Sequence, residues 1–255
     1  MNDDELIISF PDVENACQGA GEYFFLEQNG EKEKVTFHEY DKIYSIPGLY
    51  EELFYDRFEC NSPSVVCTLL QNHLKKINLD SSGLNVLDVG AGNGIMGEEL
   101  KKIGVDSIIG LDILEEARDS ALRDRPKIYE NYYVADLTDL SETLDHTLNE
   151  AGFNCMTIVA ALGFGDIPPR AFATGFNYIS SPGFFAFNIK EDFLKAKDST
   201  GFCKLINKMI NNNILEIKAK RTYCHRLCLD GSSLNYVAVV GEKKCDISKA
   251  FLDQL

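Results

Sequence analysis

Residues 86–100, VLDVGAGNGIMGEEL, set an aspartate inside an apolar run and follow it with four glycines. Val86, Leu87 and Val89 read as a buried strand, so the carboxylate at Asp88 needs a purpose. Gly90, Gly92, Gly94 and Gly97 then crowd the start of a helix, where a glycine costs up to about 1 kcal/mol relative to alanine. A strand that feeds a glycine loop and then a helix has a physical use. Glycines let the backbone turn sharply and come close to a ligand, whose polar end can meet the unpaired N–H groups of the first helical turn. Gly92-Asn93-Gly94-Ile95-Met96-Gly97 also spells G-x-G-x-x-G, which alone would serve a nicotinamide dinucleotide equally well.

Outward from this stretch, strands and helices alternate. The sequence predicts strands over 84–90, 107–112, 131–135, 155–162 and 183–189. Helices over roughly 94–104, 115–124, 141–151, 169–179 and 199–212 fill the gaps. Such βαβ repetition implies a parallel sheet covered on both faces. Two closing runs, 214–228 and 234–241, joined through DGSS, read as a hairpin on the sheet edge. Before the core, residues 22–38 read as a β-hairpin about Asn29-Gly30. Residues 40–58, YDKIYSIPGLYEELFYDRF, read as two short helical pieces broken at Pro47-Gly48. Ser62 and Pro63 supply an N-cap and first turn for a helix to about Lys76. The expected architecture is α/β: a doubly wound seven-stranded sheet, mostly parallel with a C-terminal antiparallel hairpin, plus an N-terminal hairpin and helical cap. Residues 1–76 are expected to form that hairpin and cap, acting as a lid, and residues 77–255 the core, as a single globular unit.

The 255 residues, 45% of them hydrophobic, suit one domain with a sizeable core. No apolar run approaches the ~20 residues that span a bilayer, and MNDDELIISF is acidic where a signal peptide is basic. The expectation is a cytoplasmic protein with no membrane partner. The formal net charge of −15 repels phosphate backbones, so no nucleic acid is expected to bind. Eight cysteines at irregular spacings read as reduced core residues. In CHRLC, strand alternation puts His225 on the face opposite Cys224 and Cys228, and the two cysteines lie about 13 Å apart. No metal site is expected there.

Three acids separate the candidate ligands of the glycine loop. Asp88 stands two residues before the first glycine, where a dinucleotide-binding strand carries an apolar side chain. Asp112 ends SIIGLD, 24 residues after Asp88, at the carboxyl end of the second strand, where an acid can accept both hydroxyls of a ribose. Asp136, in YYVADLTD, ends the third strand, where a carboxylate can accept an amino group. Each has a plainer role open to it: Asp88 as a cap on the glycine turn, Asp112 and Asp136 as helix N-caps. Three acids at consecutive strand ends beside one glycine loop favour a shared site.

Together, LDVGAGNG, GLDI and ADLTD resemble the class I S-adenosylmethionine-dependent methyltransferases, with their Rossmann-like sheet, over about residues 40–242. Within them, YDKIY, G-x-x-G-E-E-L and LDGSSLNYVAVV resemble the small-molecule Williams–Beuren-region-like methyltransferases. The resemblance implies S-adenosyl-L-methionine as cofactor and a small-molecule acceptor. It implies that Gly90, Gly92 and Gly94 line the methionine part and that Asp88 supports its ammonium. Asp112 would hold the ribose, Ile113 would pack on the adenine, and Asp136 and Leu137 would meet the adenine edge. Ala160 would offer backbone to the methionine end.

Elsewhere the chain departs from the family. Asn154 begins strand four where many relatives have aspartate, and DIPP lacks the asparagine and aromatic of the Asn-Pro-Pro-Tyr motif, so methylation of base amino groups is not expected. In-line methyl transfer gains much from alignment and desolvation and need not use a general base. Tyr40, Tyr44 and His225 are the candidates for direct participation, and His38 is a further imidazole of interest. His73 and His146 are expected to face solvent. A protein methyltransferase, a cofactor-binding module that transfers nothing, and an NAD-dependent dehydrogenase remain competing readings, and the oligomeric state is open.

Overall fold

The computed structural model of the chain describes residues 6–12, 21–28, 30–162, 166–195 and 197–252. Asn29 of the expected hairpin turn lies outside them. The hairpin itself is strands β2 (Tyr23–Gln28) and β3 (Glu31–Thr36), and a short strand the sequence did not announce, β1 (Ile7–Ser9), pairs with β2. Alternation aims Phe24, Leu26 and Val35 inward. They pack on the cap, formed by α1 (Tyr40–Ser45) and by α2 (Leu49–Glu51), which runs on into a wide π-helical turn over Glu52–Arg57. Gly48, at φ +77°, makes the break between the two helices.

Helix α3 (Ser62–Lys76) matches its predicted span but not its predicted cap. Asn61 occupies the capping position, and the Ser62 hydroxyl turns into the core, towards Tyr223 and His225. His73 is also buried, correcting the expected exposure. Its ring lies edge-on to Phe184 with Nε2 3.7 Å from Glu242 Oε1, because α3 packs on the sheet as well as continuing the cap.

The main sheet contains β4 (Asn85–Val89), β5 (Ser107–Asp112), β6 (Asn131–Val134), β7 (Cys155–Ile158), β8 (Gly183–Lys190), β9 (Leu215–Leu227) and β10 (Ser233–Lys243). Its order is β6-β5-β4-β7-β8-β10-β9, with β10 antiparallel to both its neighbours and the other pairs parallel. Helices α4 (Ile95–Lys102), α5 (Glu115–Asp124), α6 (Glu142–Glu150), α7 (Pro169–Asn177), α8 (Phe202–Asn211) and α9 (Lys249–Leu252) complete the core. Strand alternation divides the apolar side chains between two layers. Leu87, Met156 and Phe185 join Phe172, Phe176 and Leu205 on one face, while Val86, Cys155 and Ala186 join Leu70, Leu74 and Leu100 on the other. Among the described residues no helix is long and apolar enough to cross a membrane.

Two boundaries move for local reasons. β7 ends at Ile158 rather than 162, and Ala160 beyond it takes φ +60°. α8 starts at Phe202 rather than 199, because Asp198 binds the amides of Thr200 and Cys203 and Gly201 turns left-handed at φ +90°. The chain runs outward from β4 in one direction and then crosses to β7 on the other side. The switch point of the sheet therefore lies between the carboxyl ends of β4 and β7, the usual place for a ligand in open α/β sheets.

Candidate functional site

At that switch point lies a cavity with about 930 Å³ of empty space, including its open mouth. Gly90, Asp112, Ile113, Asp136, Leu137 and Ala160 line it from the strand ends, and Tyr40 and Tyr44 from the cap. Asp88, Gly92, Gly94 and His225 do not line it.

The glycine loop is held in shape by β5. Gly90, Gly92 and Gly94 sit at φ +66°, +53° and +88°, a region that disfavours side chains. The amides of Gly90 and Ala91 both donate to Leu111 O, and the Tyr132 hydroxyl donates to Gly92 O at 2.8 Å. Space matters at Gly92 too: a Cβ there would stand 2.5 Å from the Tyr44 hydroxyl oxygen. Cap and loop are thus in direct contact. Arg125 ties them again, donating to Glu51 Oε1 at 2.7 Å and to Asn93 O at 3.3 Å.

Asp112 accepts the Gly92 amide at Oδ2 (3.0 Å) and the Leu114 amide at Oδ1 (3.1 Å). A carboxylate has about four lone-pair positions, so these bonds leave room for a ligand hydroxyl. Burial pushes the Asp112 carboxyl up, against the pull of these amides. Next to it Ile113 is 59% exposed, an apolar side chain left uncovered at the cavity wall. Asp136 is solvent-exposed; its Oδ1 accepts both the amide and the hydroxyl of Thr138 at 2.7 Å, which lowers its carboxyl.

Asp88 is placed differently from the sequence expectation. It is 1% exposed and stands behind the loop, where Thr157 Oγ1 donates to one oxygen at 2.6 Å and the Tyr129 hydroxyl to the other at 2.8 Å. Burial raises its carboxyl to about 6. Asn154 lies at the opposite, amino end of the sheet, where its amide bridges the Asn85 amide and Gly83 O.

Tyr40 and Tyr44 stack at 6.0 Å between ring centroids. Burial raises both phenols, which therefore act near neutrality as hydrogen-bond donors and not as bases. His225 is buried beside the cavity rather than in it, and burial with the nearby Arg226 charge lowers its imidazole to about 3. It is neutral at physiological pH.

The sequence reading passed over Tyr50, which completes the aromatic wall, and the Tyr129–Tyr132 pair beneath the loop. Single aromatic residues in a short helix or at a strand's start carry no spacing signal. It also passed over Asn188, whose Oδ1 accepts the Ala160 amide at 2.7 Å. Here a signal existed, since Asn188 interrupts the apolar run GFFAFNIK just as Asp88 interrupts VLDV.

No protein-family model matches the chain. Over 127 residues it is 29% identical to a mitochondrial ubiquinone biosynthesis O-methyltransferase of Candida albicans; the match covers 46% of this chain and spans 36% of that protein's length. Among solved structures it is similar to a protein of Pyrococcus horikoshii provisionally described as an RNA methyltransferase. The TM-score is 0.52 at 14% identity, covering 72% of this chain and 87% of that one. It is also similar to the magnesium protoporphyrin IX methyltransferase of Synechocystis solved with bound S-adenosylmethionine. There the TM-score is 0.51 at 13% identity, covering 80% and 95%. At such identities the likeness is one of fold. The chain has the fold of the class I S-adenosylmethionine-dependent methyltransferases.

Proposed function

We propose that the chain is an S-adenosylmethionine-dependent methyltransferase whose cofactor occupies the cavity at the switch point. The observation that carries this is Asp112 beside Ile113. A half-buried carboxylate with room left to accept from a ligand, next to an uncovered apolar side chain, suits a ribose diol joined to a flat purine. Asp136 and the backbone of Leu137 would meet the purine edge, and Gly90 and the Ala160 backbone would border the amino-acid end. Gly92 and Gly94 act by shaping the loop. Asp88 acts from behind, holding Tyr129 and Thr157.

When bound, the cofactor supplies a methyl group on a sulfonium sulfur. The chain's part is alignment and exclusion of water. Residues 40–58 close over the strand ends as a lid, within the N-terminal hairpin and cap (1–76) that covers the core (77–255), and Tyr40 and Tyr44 bring donors but no base.

A small-molecule acceptor fits a cavity enclosed by the cap, and the name of the Candida relative and the local Williams–Beuren-region-like motifs support it. The charge of −15 argues against a nucleic acid, and the free cysteines among the described residues accord with a cytoplasmic setting. A salt-dependent gel shift with RNA or DNA at physiological ionic strength would contradict the first point.

Calorimetry with S-adenosylhomocysteine tests the cavity assignment. Asp112→Ala should weaken binding by about 2 kcal/mol or more, roughly thirtyfold, through loss of charge-assisted bonds. Equal affinity in the two proteins would remove Asp112 from the site. Methyl transfer to a metabolite extract, read by mass spectrometry, separates an enzyme from a silent binding module.

A further inference from the structure

A second cleft opens beside the first, between the cap and the closing hairpin. Its walls include Tyr40, Tyr50 and Ala160, which it shares with the first cavity, and His225 and Tyr236 from the hairpin. His225 lies on Tyr236 with ring centroids 4.1 Å apart.

A buried polar chain fixes what His225 presents. Its origin is the Ala160 amide, which donates to Asn188 Oδ1 and so sets the orientation of the Asn188 amide. The two Asn188 Nδ2 hydrogens then go to Ser62 Oγ (2.9 Å) and to the Tyr223 hydroxyl (2.7 Å). Ser62 Oγ lies 2.7 Å from the Tyr223 hydroxyl and 2.6 Å from His225 Nδ1. If Ser62 donated to Tyr223, the Tyr223 proton would have no acceptor among the described residues. All hydrogens are used when Tyr223 donates to Ser62 and Ser62 donates to His225 Nδ1. Nδ1 is then an acceptor, its single lone pair taken by the Ser62 hydroxyl. The ring proton therefore sits on Nε2.

We propose, building on the methyltransferase reading, that this cleft is the acceptor subsite. It takes an uncharged planar ring bearing a carbonyl or hydroxyl oxygen, which accepts a hydrogen bond from His225 Nε2–H. The aromatic walls suit a flat guest. Arg226, in the same wall, is already matched by Glu22, so it holds no spare charge for an anion, and a carboxylate guest would also meet Asp166. An ammonium group cannot accept from Nε2–H. Ser62 and Asn188 are positioning residues: they set the tautomer without lining the cleft, and the same Asn188 holds Ala160 at the first cavity. One amide thus couples the two sites.

The test uses the full chain, labelled with ¹⁵N-histidine and saturated with S-adenosylhomocysteine. Long-range ¹H–¹⁵N spectra should show His225 as the neutral Nε2–H tautomer from about pH 5 to pH 8. An Nδ1–H pattern would overturn the assignment. Adding phenol or 4-hydroxyacetophenone should shift the His225 resonances, whereas cyclohexylamine should not. His225→Phe should weaken 4-hydroxyacetophenone about tenfold, the worth of one neutral hydrogen bond, and leave S-adenosylhomocysteine affinity unchanged. His225→Gln, which keeps a donor near the Nε2 position, should recover part of it. Ser62→Ala should mix the tautomers and weaken the probe, though Ser62 does not touch the cleft. If S-adenosylhomocysteine binds but neither ring compound perturbs His225, the subsite is wrong and the methyltransferase reading stands. If S-adenosylhomocysteine itself fails to bind, both fall.

Discussion

Asp88 explains at one residue why a charge can sit in a buried strand. Its oxygens each receive a hydroxyl, from Thr157 and Tyr129, yet burial outweighs those bonds and raises the carboxyl to about 6. A raised acid binds protons in the folded state that the unfolded chain has already released. Between about pH 4 and pH 6 the folded protein therefore loses stability as pH rises, and the loss is complete above that window. Relative to Asp88→Asn, whose side chain does not titrate, the wild type should lose roughly 2 kcal/mol between pH 4 and pH 7. Urea unfolding of both proteins at several pH values measures this difference. A difference that stays flat, or grows in the wild type's favour, would show that Asp88 is ionised at little cost. The sequence made the acid visible because it broke an apolar run. Its partners were not visible: Tyr129 stands 41 residues away, and nothing local marks it as the donor.

Among elements, the junction of α1 with the glycine loop has a definite energetic signature. Arg123 donates to Tyr44 O, pinning the end of α1 to α5, and so the Tyr44 hydroxyl cannot move freely from Gly92. Gly92→Ala combines two costs. The left-handed backbone at φ +53° penalises any Cβ by about 1–2 kcal/mol, and the Cβ also meets the hydroxyl. Tyr44→Phe relieves most of the second cost, leaving the ring carbon at 3.2 Å. In the Tyr44→Phe background the glycine substitution should therefore be milder by about 0.5–1 kcal/mol, a coupling within the range seen for touching residues. Strict additivity in a double-mutant cycle would mean that cap and loop do not touch in solution. Most element spans were legible, since each βαβ unit alternates its periodicity between two and 3.6 residues. The exceptions had tertiary causes. Ser62 reads as an N-cap but spends its hydroxyl on Tyr223 and His225, and β7 stops early where Asn188 holds Ala160.

In the whole molecule, the cap has its own apolar cluster, so something must fix it to the sheet. Glu22, fully buried before β2, accepts from Arg226 of β9 and from the Leu229 amide at 3.0 Å. Arg226 in turn lies over the rings of Phe37 and Phe58, at 5.2 and 5.9 Å. These partners are 204 residues apart, and no periodicity or motif could have paired them. Removing one member of a buried ion pair leaves the other charge desolvated and unmatched, at a cost of about 3–5 kcal/mol. Glu22→Ala should lose stability on that scale. Replacing both residues with methionine removes both charges and keeps apolar bulk against Phe37 and Phe58, so the double variant should recover most of the loss. Denaturant unfolding of the three proteins separates the cases. If Glu22→Ala costs no more than a surface substitution, the pair is solvated and does not pin the cap. If the double methionine variant is as unstable as Glu22→Ala, the loss comes from packing and not from an orphaned charge.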